Sequence, residues 1–505
     1  MSEVFPIRFH PSGITVNARR EESLRELLFA QGVDFPCGGT SACGGCKVQV
    51  LEGEIPITGE MRLALTPEQL QSGWRLACQA RATGPMTLAL ETWQRLASVD
   101  DRNRLSLAQP LTGYGIAVDV GTTTVAVQLV DLKSGEVLDL RTALNPQAAW
   151  GADVMSRVQL SLHDNRLTSL IRDSIGYMVV DLAGQSSESI SSVVLVGNTV
   201  MHHLFCGFEL ETLSHAPFES PFRDECVIAA GELGWNIPAA SPVRFLRPLG
   251  GFVGSDILAG IVACGIPESD GLVALLDLGT NGEVSLGNKQ RILCASTAAG
   301  PAFEAACISC GMRATTGAIS RVFAAGGEYS VRVIGNTAPL GICGSGLLDA
   351  AAAALNEGWL LPRGRIVDSS RELRLAPGVA LTQEDIRELQ LAKAAVASGL
   401  RLLLKRWGAE LSDLKTVFLG GAFGNYLDVE SAHRIGLLEA APSIVVPAGS
   451  TALRGARLAL LSEHFEPSTP IDHVALASEP GFEDAFIDCV SFPSGPFTRP
   501  NPKRL

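Results

Sequence analysis

One pattern occurs twice in this chain. "YGIAVDVGTTTVAVQLVDLKSGEVL", from Tyr114, is echoed by "LVALLDLGTNGEVSLGNKQRIL", from Leu272. Each copy is an apolar run, then Asp-x-Gly-Thr, then a second alternating run, then a polar turn. Short apolar runs bounded by turn residues read as strands, so each copy predicts a strand, a tight turn and an antiparallel strand. The copies lie too far apart for a solenoid, whose repeats recur every ~20–50 residues. Two homologous halves that form a cleft, with helices filling the gaps, are the better reading.

The two turns carry groups suited to phosphate. In Asp119-Val120-Gly121-Thr122-Thr123, Gly121 lets the backbone turn and a phosphate approach without a Cβ clash. Thr122 and Thr123 offer hydroxyl and amide donors, and Asp119 can hold Mg²⁺ directly or through water. Asp277-Leu278-Gly279-Thr280-Asn281-Gly282-Glu283 repeats the design. Glu283, just after the second turn, is the candidate for orienting an attacking water. A third element, "VFLGGAFGN", is an apolar strand running into Gly420, Gly421 and Gly424, where a purine and ribose could lie on bare backbone at a helix start. One Asp-x-Gly-Thr alone would be an ordinary hairpin turn; two copies with a downstream strand-Gly-Gly point to a nucleotide.

The N-terminal segment is unlike the rest. "PCGGTSACGGCKVQV" packs Cys37, Cys43 and Cys46 among glycines, and Cys78 follows alone in "RLACQA". Four thiolates suit either zinc or an iron–sulfur cluster. Three features favour iron. The Cys-x5-Cys gap is wider than a zinc knuckle uses, the fourth cysteine is not half of a second Cys-x-x-Cys, and the glycines free backbone amides to hydrogen-bond inorganic sulfide. The spacing is one residue longer than the plant-type Cys-x4-Cys-x2-Cys and resembles the adrenodoxin-like branch of [2Fe–2S] ferredoxins. Around the loop, "VFPIRFHPSGITVNA" predicts two strands, "RREESLRELLFAQGV" a helix ending at Gly32, and "CKVQVLEGE" and "GPMTLALE" two more strands, which together make a small mixed α/β domain.

Composition bounds the partners. The chain has 505 residues and a net charge of −13 with Lys and Arg dispersed, which argues against nucleic acid or anionic membrane. No apolar run is long enough to cross a bilayer, and "MSEVFPIRFHPSG" lacks the basic and apolar regions of a secretory signal, so no membrane insertion and a cytoplasmic setting are expected. There, the 12 cysteines should bind metal or lie buried rather than pair as disulfides.

The three glycine-bearing elements resemble the phosphate 1, phosphate 2 and adenosine motifs of the acetate/sugar kinase, Hsp70 and actin superfamily. "NPQAAWGADVMSRV", "LVGNTVMHHLF", "RPLGGFVGSD", "GPAFEAACISCGMRA" and "GICGSGLLDA" narrow the resemblance to the reductive activators of corrinoid proteins. It covers nearly the whole chain. It implies a ferredoxin-like β-grasp domain with a [2Fe–2S] cluster (residues 1–95), a linker (96–112), and a two-lobed, ribonuclease-H-like, actin/Hsp70-like ATPase domain (113–505, with lobes at about 113–270 and 271–505). It further implies ATP with Mg²⁺, an upstream electron donor, and delivery of one electron to the Co(II) corrinoid of a partner in a methyltransferase system, restoring Co(I). Some members carry an extra domain between the two parts; here only the linker separates them, and a homodimer stays open.

A cluster and an ATPase belong together when electron transfer is uphill or gated. Plant-type [2Fe–2S] centres lie near about −400 mV, and each ~59 mV of one-electron gap is about 1.4 kcal/mol. A nucleotide supplies this only through differential affinity for partner states. The residues leave two other readings open: an activator of a different low-potential enzyme, and an electron-transfer adaptor that uses nucleotide as a switch. The remaining conspicuous residues read as structural. Cys307 and Cys310 should be buried in a helical stretch, as should Cys294 and Cys343. His202 and His203, being neighbours, cannot share one metal. Ser345 in "GICGSGLLD" marks a helix start. The charged segment from Asp100 to Pro110 reads as a tether.

Overall fold

In the computed structural model the described residues are 3–10, 15–24, 27–28, 47–90, 112–151, 153–279, 282–305, 307–312, 314, 317–325, 327–424, 427–462 and 464–494. The turn after His10, most of the first predicted helix, the loop bearing Cys37, Cys43 and Cys46, and the tether lie outside them.

Five strands form the N-terminal sheet: β1 (Val4–His10), β2 (Thr15–Arg19), β3 (Lys47–Glu52), β4 (Trp74–Leu76) and β5 (Met86–Leu90). Their order is β2-β1-β5-β3-β4. β1 runs parallel to β5 and antiparallel to β2. This is the β-grasp arrangement, closed around Ile7, Phe9, Leu24, Leu28, Val48, Leu76 and Leu88, all inaccessible to solvent. The alternation along β1 supplies this core directly: Ile7 and Phe9 point inward, with Arg8 between them on the other face.

The first Asp-x-Gly-Thr hairpin is β6 (Tyr114–Val120) and β7 (Thr124–Asp131), paired antiparallel from Tyr114↔Asp131 to Val120↔Val125. β8 (Val137–Leu144), β9 (Ile190–Gly197), β10 (Cys226–Ala229) and β11 (Pro242–Phe245) complete a sheet of order β10-β11-β9-β6-β7-β8. β9 is parallel to β6, and β11 to β9. Alternate residues serve opposite faces. Ile116, Val118, Val120, Val193 and Leu195 pack with the helices Arg166–Ala183 and Thr199–Cys206. Ala117, Val194 and Val196 pack with Ala259 and the helix Thr451–Leu461. With both faces covered, the strands read as continuous apolar runs.

The second hairpin is β12 (Leu272–Leu278) and β13 (Gly282–Gly287). β14 (Ile292–Thr297) follows, then β15 (Ala318–Ala325), β16 (Glu328–Val333), β17 (Gly341–Ile342), β18 (Glu372–Ala376), β19 (Val379–Thr382), β20 (Leu414–Gly420), β21 (Val445–Gly449) and β22 (Ile471–His473). The second large sheet has the order β21-β20-β12-β13-β14-β22. Its strands β14-β13-β12-β20-β21 repeat the sequence of roles of β8-β7-β6-β9-β11, as the internal echo requires. The 25-residue helix Gln383–Trp407 starts at Thr382, whose side chain accepts from Asp385 N while Asp385 caps in return, and ends at Gly408. Asp385 completes the reciprocal cap read from the sequence. Among the described residues no helix is long and apolar enough to cross a membrane.

The chain divides into two compact units. One comprises residues 1–270, 287–294 and 448–473, the other 271–286, 295–447 and 474–505.

Candidate functional site

In the first turn Asp119 sits at the end of β6, in register with Ala126 and Val196. Gly121 follows, and a Cβ there would lie 2.5 Å from the Thr124 carbonyl oxygen, so any larger residue forces the turn open. Three side chains from elsewhere in the same unit hold this turn. Asn145 Nδ2 donates to the Gly121 carbonyl at 2.8 Å. Arg157 Nη2 donates to the Thr122 carbonyl at 2.7 Å. Asn198 Nδ2 donates to Thr122 Oγ1 at 3.0 Å. Thr123 contributes its carbonyl, which accepts from Asn145 N at 2.9 Å.

Arg157 is the hub. Its side chain is fully buried and also donates to Gly151 O at 2.8 Å and to Gln147 Oε1 at 3.2 Å. Burial lowers its pKa to about 10, with Asp153 opposing that shift, so it stays a cation at neutral pH. Asn198 does two jobs. Its Oδ1 accepts from Met201 N at 3.0 Å, capping the helix Thr199–Cys206, while its amide reaches Thr122. The sequence motifs "NPQAAWGADVMSRV" and "LVGNTVMHHLF" are therefore the scaffold of the first turn. Sequence reasoning singled out both segments but missed these roles. A buried arginine inside an amphipathic run looks like any surface arginine until its acceptors are folded around it.

In the second turn Asp277 lies in parallel register with Gly420. The next residue, Gly421, has φ of +80° and opens the helix Gly421–Gly424. A Cβ on Gly421 would stand 2.7 Å from Asp277 Oδ1. The structure thus brings together Asp277, Gly420 and Gly421, which lie far apart in sequence, and leaves their backbone bare. This is a cradle that a flat, polar ligand fits and a side chain would fill. Gly424 packs on its own strand, near the Leu419 carbonyl. Glu283 lies on β13, 6% exposed. Gly279 is described and half-buried; Thr280 and Asn281 lie outside the described residues.

At the N-terminal domain, β3 and β4 pair antiparallel with Lys47 opposite Leu76. Cys46 precedes Lys47 in the chain, and Cys78 sits on the half-buried turn Ala77–Gln79 just after β4. The register therefore brings the end of the three-cysteine loop alongside the fourth cysteine. That fits a shared ligand set.

Other expectations are settled one by one. Cys294 and Cys343 are buried. His202 and His203 are fully buried side by side, their pKa values pushed by burial to about 3 and about 4. His203 contacts Thr199 O at 2.9 Å and Ser220 Oγ at 2.7 Å. Ser345 begins the helix Gly344–Glu357 and donates to Ser320 O at 3.0 Å. Cys307 and Cys310 are corrected. They lie in a turn, not a helix, and Cys307 is exposed while Cys310 is half-buried. The cause is Ser309 between them, whose N and Oγ both donate to Asp385, at 2.7 and 2.6 Å; these bonds pin the segment to the N-terminus of the helix Gln383–Trp407.

Comparison with known proteins agrees with this geometry. Residues 7–83 match the 2Fe-2S iron-sulfur cluster binding domain, 114–269 the RACo middle region, and 271–501 the C-terminal domain of RACo, the ASKHA domain. The corrinoid activation enzyme RamQ of Eubacterium limosum is 35% identical over 444 residues, covering 79% of this chain and 74% of RamQ. The [Co(II) methylated amine-specific corrinoid protein] reductase of Methanosarcina barkeri is 26% identical over 429 residues, covering 75% and 77%. The solved structure of a reductive activator for corrinoid, iron-sulfur protein superposes with a TM-score of 0.66 at 25% identity, covering 97% of this chain and 98% of that one. With its iron–sulfur domain, its ASKHA domain and these full-length likenesses, the chain belongs to the family of reductive activators of corrinoid proteins.

Proposed function

We propose that this protein uses ATP to drive one electron from its N-terminal cluster onto the Co(II) corrinoid of a partner protein, returning it to Co(I) for methyl transfer. The observation that carries the reading is the pairing, in one chain, of a β-grasp domain bearing four spaced cysteines with two Asp-x-Gly-Thr turns, each rigidly supported. A plain electron carrier needs no such turns.

Cys37, Cys43, Cys46 and Cys78 are the proposed ligands of a [2Fe–2S] cluster, which supplies a one-electron centre. Asp119 and Asp277 are the proposed Mg²⁺-side carboxylates. Gly121, Thr122, Thr123, Gly279, Thr280 and Asn281 are assigned to the phosphates. Gly420, Gly421 and Gly424 are assigned to the nucleoside. Glu283 is assigned to orienting the attacking water. Asn145, Arg157 and Asn198 act through the first turn: they fix the direction of its carbonyls and of the Thr122 hydroxyl, so the turn's amides are preorganised for phosphate. An upstream cytoplasmic donor of low potential recharges the protein.

The test is spectroscopic. Reduced protein is mixed anaerobically with a Co(II) corrinoid protein, with and without Mg·ATP, and the cobalt is followed by EPR and visible absorption. Loss of the Co(II) signal that requires both ATP and the cluster supports the reading. Equal reduction without nucleotide would leave only the adaptor reading. Iron and acid-labile sulfide should be present in equal amounts, with no stoichiometric zinc.

A further inference from the structure

Cys206 and Cys226 lie far apart in sequence, and the fold brings them to one spot. Cys206 ends the helix Thr199–Cys206, and Cys226 begins β10. Both are half-buried at the rim of the same apolar cluster. The placement follows from packing. Cys226 is in register with Phe245 on β11. The Phe245 ring stands 5.7 Å from that of Phe205, the neighbour of Cys206. The two thiols share a hydrogen bond. Arg172 completes the cluster. Its Nε donates to the Phe205 carbonyl at 2.6 Å, and its Nη2 lies 3.5 Å from where a Cβ on Gly207 would stand.

The environment makes the two sulfurs unequal. The thiol of Cys206 and the charge of Arg172 hold the Cys226 pKa below that of an ordinary cysteine, against burial and Glu225. Burial and the bond to Cys226 raise the Cys206 pKa. This is the arrangement of a nucleophilic thiolate beside a resolving thiol.

We propose that Cys206 and Cys226 form a dithiol site that closes reversibly to a disulfide with small disulfides such as oxidised glutathione. The Cys226 thiolate attacks one sulfur of the small disulfide, giving a mixed disulfide and one released thiolate. Cys206 then gives up its proton to the released thiolate and attacks the Cys226 sulfur, expelling the second small thiol. Each protein sulfur loses one electron, and the small disulfide takes up two electrons and two protons to give two thiols. The new bond ties the C-terminus of the helix Thr199–Cys206 to β10. Asn198, at the other end of that helix, holds Thr122, so the link stiffens the support of the first turn. The site makes no use of the cluster or of nucleotide and stands apart from the proposed function.

The experiment uses the anaerobic, cluster-bearing full chain, so that the cluster ligands are protected. It is equilibrated over a series of oxidised-to-reduced glutathione ratios, quenched in acid, alkylated and mapped by mass spectrometry. A peptide joining Cys206 to Cys226 should appear first. Cys307, the exposed cysteine among those described, should react more slowly, because burial and the carboxylate of Glu388 raise its pKa. In Cys206→Ser, Cys226 should accumulate as the glutathione mixed disulfide; in Cys226→Ser, Cys206 should stay reduced over the same range. Arg172→Lys should keep the linked product, and Arg172→Gln should slow its formation by about tenfold. If Cys206 and Cys226 alkylate independently at every ratio, or if Cys307 reacts before Cys226 in the parent, the site does not exist as described. Thermal melts of the serine variants, matched to the parent, exclude misfolding as the cause.

Discussion

At the scale of single residues, the acidic turn residues and their supports make different predictions. Asp119 and Asp277 were legible in the sequence because turn chemistry is local: carboxylate, glycine and hydroxyl stand within a few positions of each other. Asp119→Ala and Asp277→Ala should each lower ATP turnover by about 100-fold or more, with the visible spectrum of the cluster unchanged. Parental turnover in both variants would remove the phosphate assignment. Asn198 was not legible, because its value lies in a bond to Thr122, remote in sequence. Asn198→Ser keeps an oxygen to cap the helix, so stability should fall by less than about 1 kcal/mol. The shorter side chain loses Thr122, so KM for ATP should rise while the cluster and the melting temperature hold. A parallel loss of stability and activity would reduce Asn198 to a cap. The exposure of Cys307 was misread for a similar reason: only the folded chain shows Asp385 pulling Ser309 aside.

At the scale of elements, legibility tracks how local the signal is. The helix Gln383–Trp407 was bounded from sequence at both ends, since its cap and its terminal glycine are short-range features. The helix Thr199–Cys206 is harder to read, since seven of its eight residues are buried, two of them histidines. A polar pair inside an apolar run breaks the amphipathic pattern without revealing what the rings touch. Its histidines give a pH prediction. His202 packs on Phe245 and Phe208, and His203 on Phe208 and Phe222. Burial lowers both pKa values, to about 3 and about 4. The unfolded chain binds protons near pH 6.5 and the folded chain does not, so the unfolded state gains protons first as pH falls. Stability is therefore fully present above about pH 6.5 and declines below it, by on the order of 1 kcal/mol per pH unit for each ring. Hydrogen exchange of the helix amides should accelerate from about pH 6.5 downward more than acid catalysis explains. His202→Leu should flatten that acid limb. An unchanged acid limb in that variant would show that this ring does not set it.

For the whole molecule, the question is which part recognises the partner and which part supplies the electron. The five-strand sheet from Val4 to Leu90 takes no strand from beyond it. The apolar clusters around the first hairpin take no residue before Tyr114. Each part therefore has a core of its own, which is the condition for folding alone. The sequence already carried this division: the cysteine loop and the doubled turn are separate, self-contained patterns. The boundary segment is polar and ends in a proline, the composition of a tether. A chain starting near Gln109 should then fold and turn over ATP, and it should bind the Co(II) corrinoid partner. It should not reduce the cobalt, because it lacks the four cysteines. Adding residues 1–95 as a separate polypeptide should restore reduction only weakly, because the tether's contribution is local concentration, in the millimolar range for short flexible links. Raising the separate domain toward that concentration should recover the rate. Calorimetry on the two pieces decides the matter. If residues 1–95 bind the partner and the larger piece does not, recognition lies with the cluster domain, and the tether carries the partner to the ATPase instead of carrying the cluster to the cobalt.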